Sequence, residues 1–252
     1  MSTRLSAVAH WDGQRPVGPM HRSIVAIDLE GSTTRTNLVK GELRRSMYEL
    51  LGRALEAVPI TDNQLEQPID RGDGVLLLIR PYDDVPKTVL LDRLIPALTA
   101  LLTEYNARAA QPALRMRLRA VVHAGEVHSD DRGFYGEAID IAIRLLDSAS
   151  VKRALKQTES PLVLVVSEEI YSGIIAHGYV DDCDYRQAVR VRVTGRQHRG
   201  WVHVPGLTEP ASAPGAAPAA GLAALARAPF VLASVRKGAA MRGANGHWAR
   251  VS

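Results

Sequence analysis

The 252-residue chain predicts a mixed α/β domain of the α+β kind, with a mostly antiparallel central sheet flanked by helices. Three observations lead there. Short apolar runs such as IVAI (24–27), VLLLI (75–79) and LVLVV (162–166) have the length of buried strands. Longer stretches between them repeat leucine at helical spacing. The two kinds alternate in the order strand, helix, hairpin, helix, strand, the β-α-β-β-α-β pattern of a ferredoxin-like or palm-type sheet with the hairpin at its centre.

Each element has its own signal. Residues 1–21 mix Gly, Pro and polar residues without period and read as a loose arm. Ser23 to Asp28 is an apolar strand. From Arg35 to Val58, Leu38, Val39, Leu43, Met47, Leu50, Leu51 and Leu55 recur at 3.6-residue spacing. QPIDRGDGVLLLIRP (67–81) holds two extended segments about an Arg71-Gly72-Asp73-Gly74 turn, a β-hairpin. A second helix runs from about Lys87 to Ala109, with Pro96 inside as a source of a kink. In RMRLRAVVHAGEV (115–127), Met116, Leu118 and Ala120 alternate with arginines, as in a half-buried strand. A helix from Glu137 to about Gln157, the strand LVLVVS, a short helix and a strand pair around VRVRVTGRQHRGWVHV complete the domain near Leu207. The expected organisation is an arm (1–21), a compact domain (22–207) and a flexible Ala/Pro-rich tail (208–252).

Composition narrows the function classes. From Thr208 onward the only acid is Glu209, against Arg227, Arg236, Lys237, Arg242 and Arg250, so the tail accounts for the whole net charge of +4. The preceding 207 residues are neutral overall, which argues against a nucleic-acid-binding domain. No apolar run reaches bilayer-spanning length, and the N-terminus lacks a signal-peptide core. One cysteine, Cys183, forms no internal disulfide and sits among Asp181, Asp182 and Asp184, where a thiolate is disfavoured. The expectation is a soluble, cytoplasmic protein with no membrane contact.

Two carboxylates stand out. Asp28 ends the first strand and Asp73 sits in the hairpin turn; in a palm-type sheet these elements are neighbours, so the two side chains converge. Paired aspartates in oxygen-only surroundings suit Mg²⁺ or Mn²⁺. After Asp28, the small-residue turn Glu30-Gly31-Ser32-Thr33 offers backbone N–H groups at a helix N-terminus, a natural seat for a triphosphate. Taken singly, Asp28 is equally a helix N-cap and Asp73 an ordinary Asp-Gly turn.

IVAIDLEGST, DRGDGVLLL and AVVHAGEV…GFYGEAIDIAIRLLD together resemble the three signature blocks of class III nucleotidyl (adenylate/guanylate) cyclases, in order and spacing, over roughly Ser23 to Gly206. The resemblance implies that Asp28 and Asp73 hold two divalent cations, Mn²⁺ or Mg²⁺, with the backbone carbonyl of Leu29. It implies that Arg144 stabilises the transition state at the α-phosphate and that Arg196 binds phosphate. The reaction implied is attack of the ribose 3′-oxygen on the α-phosphate with loss of diphosphate. In this family the aspartates and the arginine come from different subunits, which implies a homodimer with two shared sites.

The departures from the pattern bear on the base. Where purine cyclases carry a lysine, four residues before the second aspartate, this chain has Ile69. Gly133 stands at the second base-reading position, and Asp140 replaces the asparagine that positions the ribose. Three alternatives remain: a pseudoenzyme, a purine cyclase that reads its base by other contacts, and a pyrimidine cyclase with a tighter pocket. The last is similar to the stand-alone uridylate and cytidylate cyclases of bacterial Pycsar anti-phage systems, whose product signals to a separately encoded effector. Tyr48, on the first helix, is a residue to narrow such a pocket, or else a plain amphipathic-helix aromatic. UTP is the expected substrate, then CTP; a non-catalytic nucleotide-binding module is the alternative of a different class.

Other motifs exclude themselves. His123 and His128 lie on opposite faces of one strand without a third ligand. There is no GxxxxGK[ST] loop. The Ala-rich stretch 216–228 has too small an apolar face for a membrane anchor.

Overall fold

The computed structural model describes residues 18–180 and 185–206. The Ala/Pro-rich tail, most of the N-terminal arm and the acidic stretch around Cys183 lie outside the described residues. The chain folds as an α/β domain about an eight-stranded sheet in the order β2-β3-β1-β4-β6-β8-β7, with β5 paired to β4. The strands are β1 (Met20–Leu29), β2 (Ile69–Asp70), β3 (Gly74–Ile79), β4 (Leu118–Asp130), β5 (Gly133–Tyr135), β6 (Leu162–Ser167), β7 (Arg186–Val193) and β8 (Arg196–His203). All neighbours are antiparallel except β4 and β6. The helices are α1 (Asn37–Glu56), α2 (Ile95–Arg108), α3 (Glu137–Leu146), α4 (Ala149–Lys156) and α5 (Glu168–Gly173). Among the described residues, no helix is long and apolar enough to cross a membrane.

The period-2 alternation of β1 assigns its two faces. Val25, Ile27 and Leu29 pack into one core with α1 and α2, through Leu43, Met47, Ile95 and Leu98. Ile24 and Ala26 pack into a second core with α3 and α4, through Ile141, Leu145, Val151 and Leu155. Asp28 has the parity of the second set, so its carboxylate leaves the sheet on the α3/α4 side. The edge strand β7 carries exposed Arg186, Arg190 and charged neighbours, which discourage pairing with another chain. The β7–β8 connection is a two-residue turn at Thr194 (φ 45°) and Gly195 (φ 80°), the left-handed pair a tight hairpin requires.

Several elements depart from expectation. The first strand begins at Met20, inside the expected arm, because Met20 to Leu29 pair continuously with β4. The helix expected from Lys87 begins at Thr88 but carries a π-helical turn, Leu90–Leu94, in which the Ile95 N–H bonds the carbonyl of Leu90. Pro96 has no N–H to give the carbonyl four residues back, and the wider turn absorbs that defect. The single helix expected over 137–157 is two, because Ser148 is extended (ψ 147°) and its hydroxyl accepts from the Val151 N–H to start α4. β4 is not half-buried: Leu118 to Ala124 are covered on both faces, since α3 lies across the side where the arginines alternate. Finally, α1 starts only at Asn37, capped by Thr36, so Asp28 is no helix cap. Gly31 to Thr33 lead into a separate 3₁₀ turn at Ser32–Thr34.

Candidate functional site

Strand register brings the two aspartates together. Asp28 pairs with Gly74 on β3 and with Arg119 on β4. Gly74 is required there: a Cβ would lie 2.4 Å from the carbonyl oxygen of Ile27, so β1 and β3 approach closely only without one. That approach lets the Leu29 N–H donate to the Asp73 carbonyl at 2.9 Å, tying the β2–β3 turn to the end of β1. The Ser32 hydroxyl then donates to the Asp73 carboxylate. α1 holds the same turn from outside: Arg44 donates to both oxygens of Asp70 and to the Gly72 carbonyl. Bonds from Arg44 and from the Gly72 N–H hold the Asp70 carboxyl at a pKa of about 2.

Asp28, Leu29, Gly31, Ser32, Thr33 and Asp73 line one cleft of about 350 Å³, together with Arg71, Arg119, Leu146, Asp147 and Lys152. Gly31 adopts φ 69°, a left-handed turn that a side chain would strain. Past it, the backbone N–H groups of Gly31, Ser32 and Thr33 make no hydrogen bond with other described residues, which leaves a nest of donors at the cleft.

Arg119 is the residue the sequence reading passed over. It looks like one of several solvent-facing arginines in an alternating strand, yet it is only 8% exposed. Its Nη2 donates to the Asp28 carboxylate, and Nη1 stands 3.7 Å from Asp147 at the end of α3. Its Nε and Nη1 are buried and donate to nothing. Burial lowers its pKa, with Asp147 opposing. The partner it finds is 91 residues away in sequence.

The donor set fits a hard divalent cation: Asp28 and Asp73, with a third carboxylate, Asp147, turned to Arg119 and Lys152, line one cleft that has no thiolate or imidazole among its residues. Among the described residues no group of three or more His, Cys, Asp and Glu side chains gathers for a metal. Cations here would therefore complete their shells with phosphate and water oxygens, as Mg²⁺ commonly does. His123 is buried among the β4 and β6 ends, its Nδ1 2.7 Å from the Ser167 hydroxyl and 3.4 Å from Glu169. It belongs to the core rather than the cleft.

The remaining predicted residues lie elsewhere in the chain. Asp140 and Arg144 are exposed one turn apart on α3 and make no hydrogen bond or ion pair with described residues. Arg196 is exposed beside the β7–β8 turn, where the Thr194 hydroxyl donates to Glu137 at the start of α3. Asp147, which meets Arg119, lies just past the other end, so the length of α3 (about 15 Å) separates Arg196 from Asp28. Tyr48 packs on the α1/α2 core with the Arg44 guanidinium 5.1 Å from its ring centroid. Ile69 packs on the opposite core. One chain therefore joins the aspartates and the turn, and leaves Asp140, Arg144, Arg196, Tyr48 and Ile69 outside their cleft.

No protein-family model matches the chain, and no curated protein matches it. Solved structures do. The guanylyl cyclase Cya2 superposes with a TM-score of 0.50 at 16% identity, over 77% of this chain and 98% of that one. A bacterial light-regulated adenylyl cyclase superposes with a TM-score of 0.50 at 11% identity, over 73% of this chain and 90% of that one. The chain has the fold of these cyclase structures.

Proposed function

We infer that this chain is a nucleotidyl cyclase that converts a nucleoside triphosphate, UTP foremost, to its 3′,5′-cyclic monophosphate and diphosphate. One observation carries the reading: Asp28 and Asp73 meet on one cleft beside the open N–H groups of Gly31, Ser32 and Thr33, in a cyclase fold. The catalytic domain in this reading is residues 22–207.

Asp28, Asp73 and the Leu29 carbonyl hold Mn²⁺ or Mg²⁺. Bound there, such cations lower the pKa of the attacking 3′-hydroxyl and offset charge on the leaving diphosphate. The Gly31–Thr33 N–H groups hold the phosphate chain in line. Arg119 places a buried positive charge beside Asp28, and its Nε, which makes no hydrogen bond with described residues, donates to a phosphate oxygen. Arg144, which has no partner among the described residues, reaches the α-phosphate of the second subunit's site and meets the charge that develops there. Arg196 holds phosphate from the same side. Asp140, one turn from Arg144, orients the ribose. These exposed groups outside the cleft, without partners among the described residues, support a homodimer with two shared sites.

For the base, the support is chemical. Ile69 and Gly133 offer no side-chain hydrogen bond where purine cyclases place polar groups. Tyr48, held under Arg44, adds bulk that suits a smaller ring. Cyclic UMP is then a second messenger, with cyclic CMP next in order, read by a separately encoded effector in anti-phage defence.

A second reading is a non-catalytic nucleotide-binding module. The ion pair between Arg119 and Asp28 favours it, since that carboxylate is already matched by a cation. Incubation with equal ATP, GTP, CTP and UTP plus Mn²⁺, followed by mass spectrometry of cyclic mononucleotides, separates the cases. Cyclic UMP as the main product, lost by about 10³-fold in Asp28→Ala, is expected. Cyclic AMP or GMP as the main product contradicts the pyrimidine assignment, and no product at all supports the binding module.

A further inference from the structure

A second cleft, of about 450 Å³, opens beside the first and shares Gly31, Arg119 and Lys152 with it. Its charged lining is Arg35, Arg119, Lys152 and Lys156 against a single acid, Glu30. That acid is already engaged, 3.6 Å from Arg117. Lys152 and Lys156 stand four residues apart on one face of α4, a spacing at which like charges oppose helix formation. Lys152 lies 3.5 Å from Asp147, while Lys156 has no partner among the described residues.

The guanidinium groups opposite are also short of acceptors. Arg35 donates from Nη2 to the Arg115 carbonyl at 3.1 Å, but its Nη1 is buried with no acceptor. Arg119, more than nine-tenths buried, has two such nitrogens, Nε and Nη1. Buried N–H groups that bond nothing are costly, and three in one basic cleft call for an anionic acceptor with several oxygens.

We propose that Arg35 and Lys156, with Arg119 and Lys152 at the boundary, form a diphosphate-binding site beside the carboxylate cleft. In the cyclase reading, on which its role rests, the site takes the leaving group after ring closure. Arg119 and Lys152 already face Asp28 and Asp147, so Arg35 and Lys156 supply the excess positive charge that draws free diphosphate, and the shared wall at Gly31, Arg119 and Lys152 joins the two clefts. Occupancy slows release of the second product, so diphosphate inhibits turnover through these residues.

The test is calorimetric titration of the full chain in metal-free buffer with diphosphate, orthophosphate and UTP in separate arms. Diphosphate should bind at least about tenfold more weakly to the Lys152→Ala/Lys156→Ala protein, with thermal melting as a check that it folds; alanine suits an exposed helix position. Asp73→Asn should leave diphosphate affinity unchanged. Wild-type affinity in the double-lysine protein, loss in Asp73→Asn, or equal affinity for orthophosphate would each overturn the proposal. Failure of the cyclase reading looks different. Diphosphate binding through the lysines, with no cyclic product from any triphosphate, removes the catalytic role and keeps the site. Cyclic product with diphosphate affinity indifferent to the lysines removes the site and keeps the enzyme.

Discussion

At the scale of the residue, Asp28 and Arg119 define one another. The Asp28 side chain is 13% exposed and the Arg119 side chain 10% exposed, so each is a costly burial compensated chiefly by the other. Replacing Arg119 with Gln leaves a buried carboxylate without its cation, and stability should fall by about 3 kcal/mol in metal-free buffer. A divalent cation at Asp28 restores the lost compensation, so Mn²⁺ should raise the melting temperature of Arg119→Gln more than that of the wild type. Differential scanning fluorimetry with and without Mn²⁺ reads this directly; an equal or smaller rise in the variant would mean that the cation does not use Asp28. The two aspartates were legible in the sequence, because each is fixed by a local pattern: a strand end and an Arg-Gly-Asp-Gly turn. Arg119 was not. Its role depends on cross-strand register with Asp28 and on a covering helix, and neither is written in the residues around it.

At the scale of the element, the tightest constraint is where β1 and β3 meet. Gly74 faces the Ile27 backbone at a distance no Cβ tolerates, and neither side is a flexible side chain that can yield. Gly74→Ala should cost about 2 kcal/mol and part the strands that carry Asp28 and Asp73. Gly52, within α1 and with nothing inside 4 Å of its would-be Cβ, should behave oppositely. Gly52→Ala should gain up to about 1 kcal/mol from helix propensity. Urea unfolding of both variants checks the contrast; equal effects would mean the β1–β3 approach is looser than described. Element identity followed from periodicity almost throughout, whereas boundaries did not. The break at Ser148 falls within a continuous apolar period, and a single hydroxyl accepting from Val151 decides it. The π-helical turn before Pro96 likewise answers a missing N–H, and no hydrophobic pattern announces it. β5, three residues long, is too short to show alternation and exists by pairing with the end of β4.

At the scale of the whole molecule, the proposed site is divided. The cleft of one chain holds the aspartates, the Gly31–Thr33 turn and Arg119, while Asp140, Arg144 and Arg196 are exposed on α3 and at the β7–β8 turn without partners among the described residues. In the sequence these residues stood out only through the family resemblance, which also implied that a second copy of the chain supplies the arginine. Two copies should complete the site across a twofold axis. The most direct measurement is complementation: Asp28→Ala and Arg144→Ala proteins are purified separately, mixed, allowed to exchange subunits and assayed with UTP and Mn²⁺. Each alone should be inactive, and the mixture should recover about a quarter of wild-type activity, since half the dimers are mixed and each of those holds one intact site. A mixture as inactive as its components, with subunit exchange verified, would contradict the shared site.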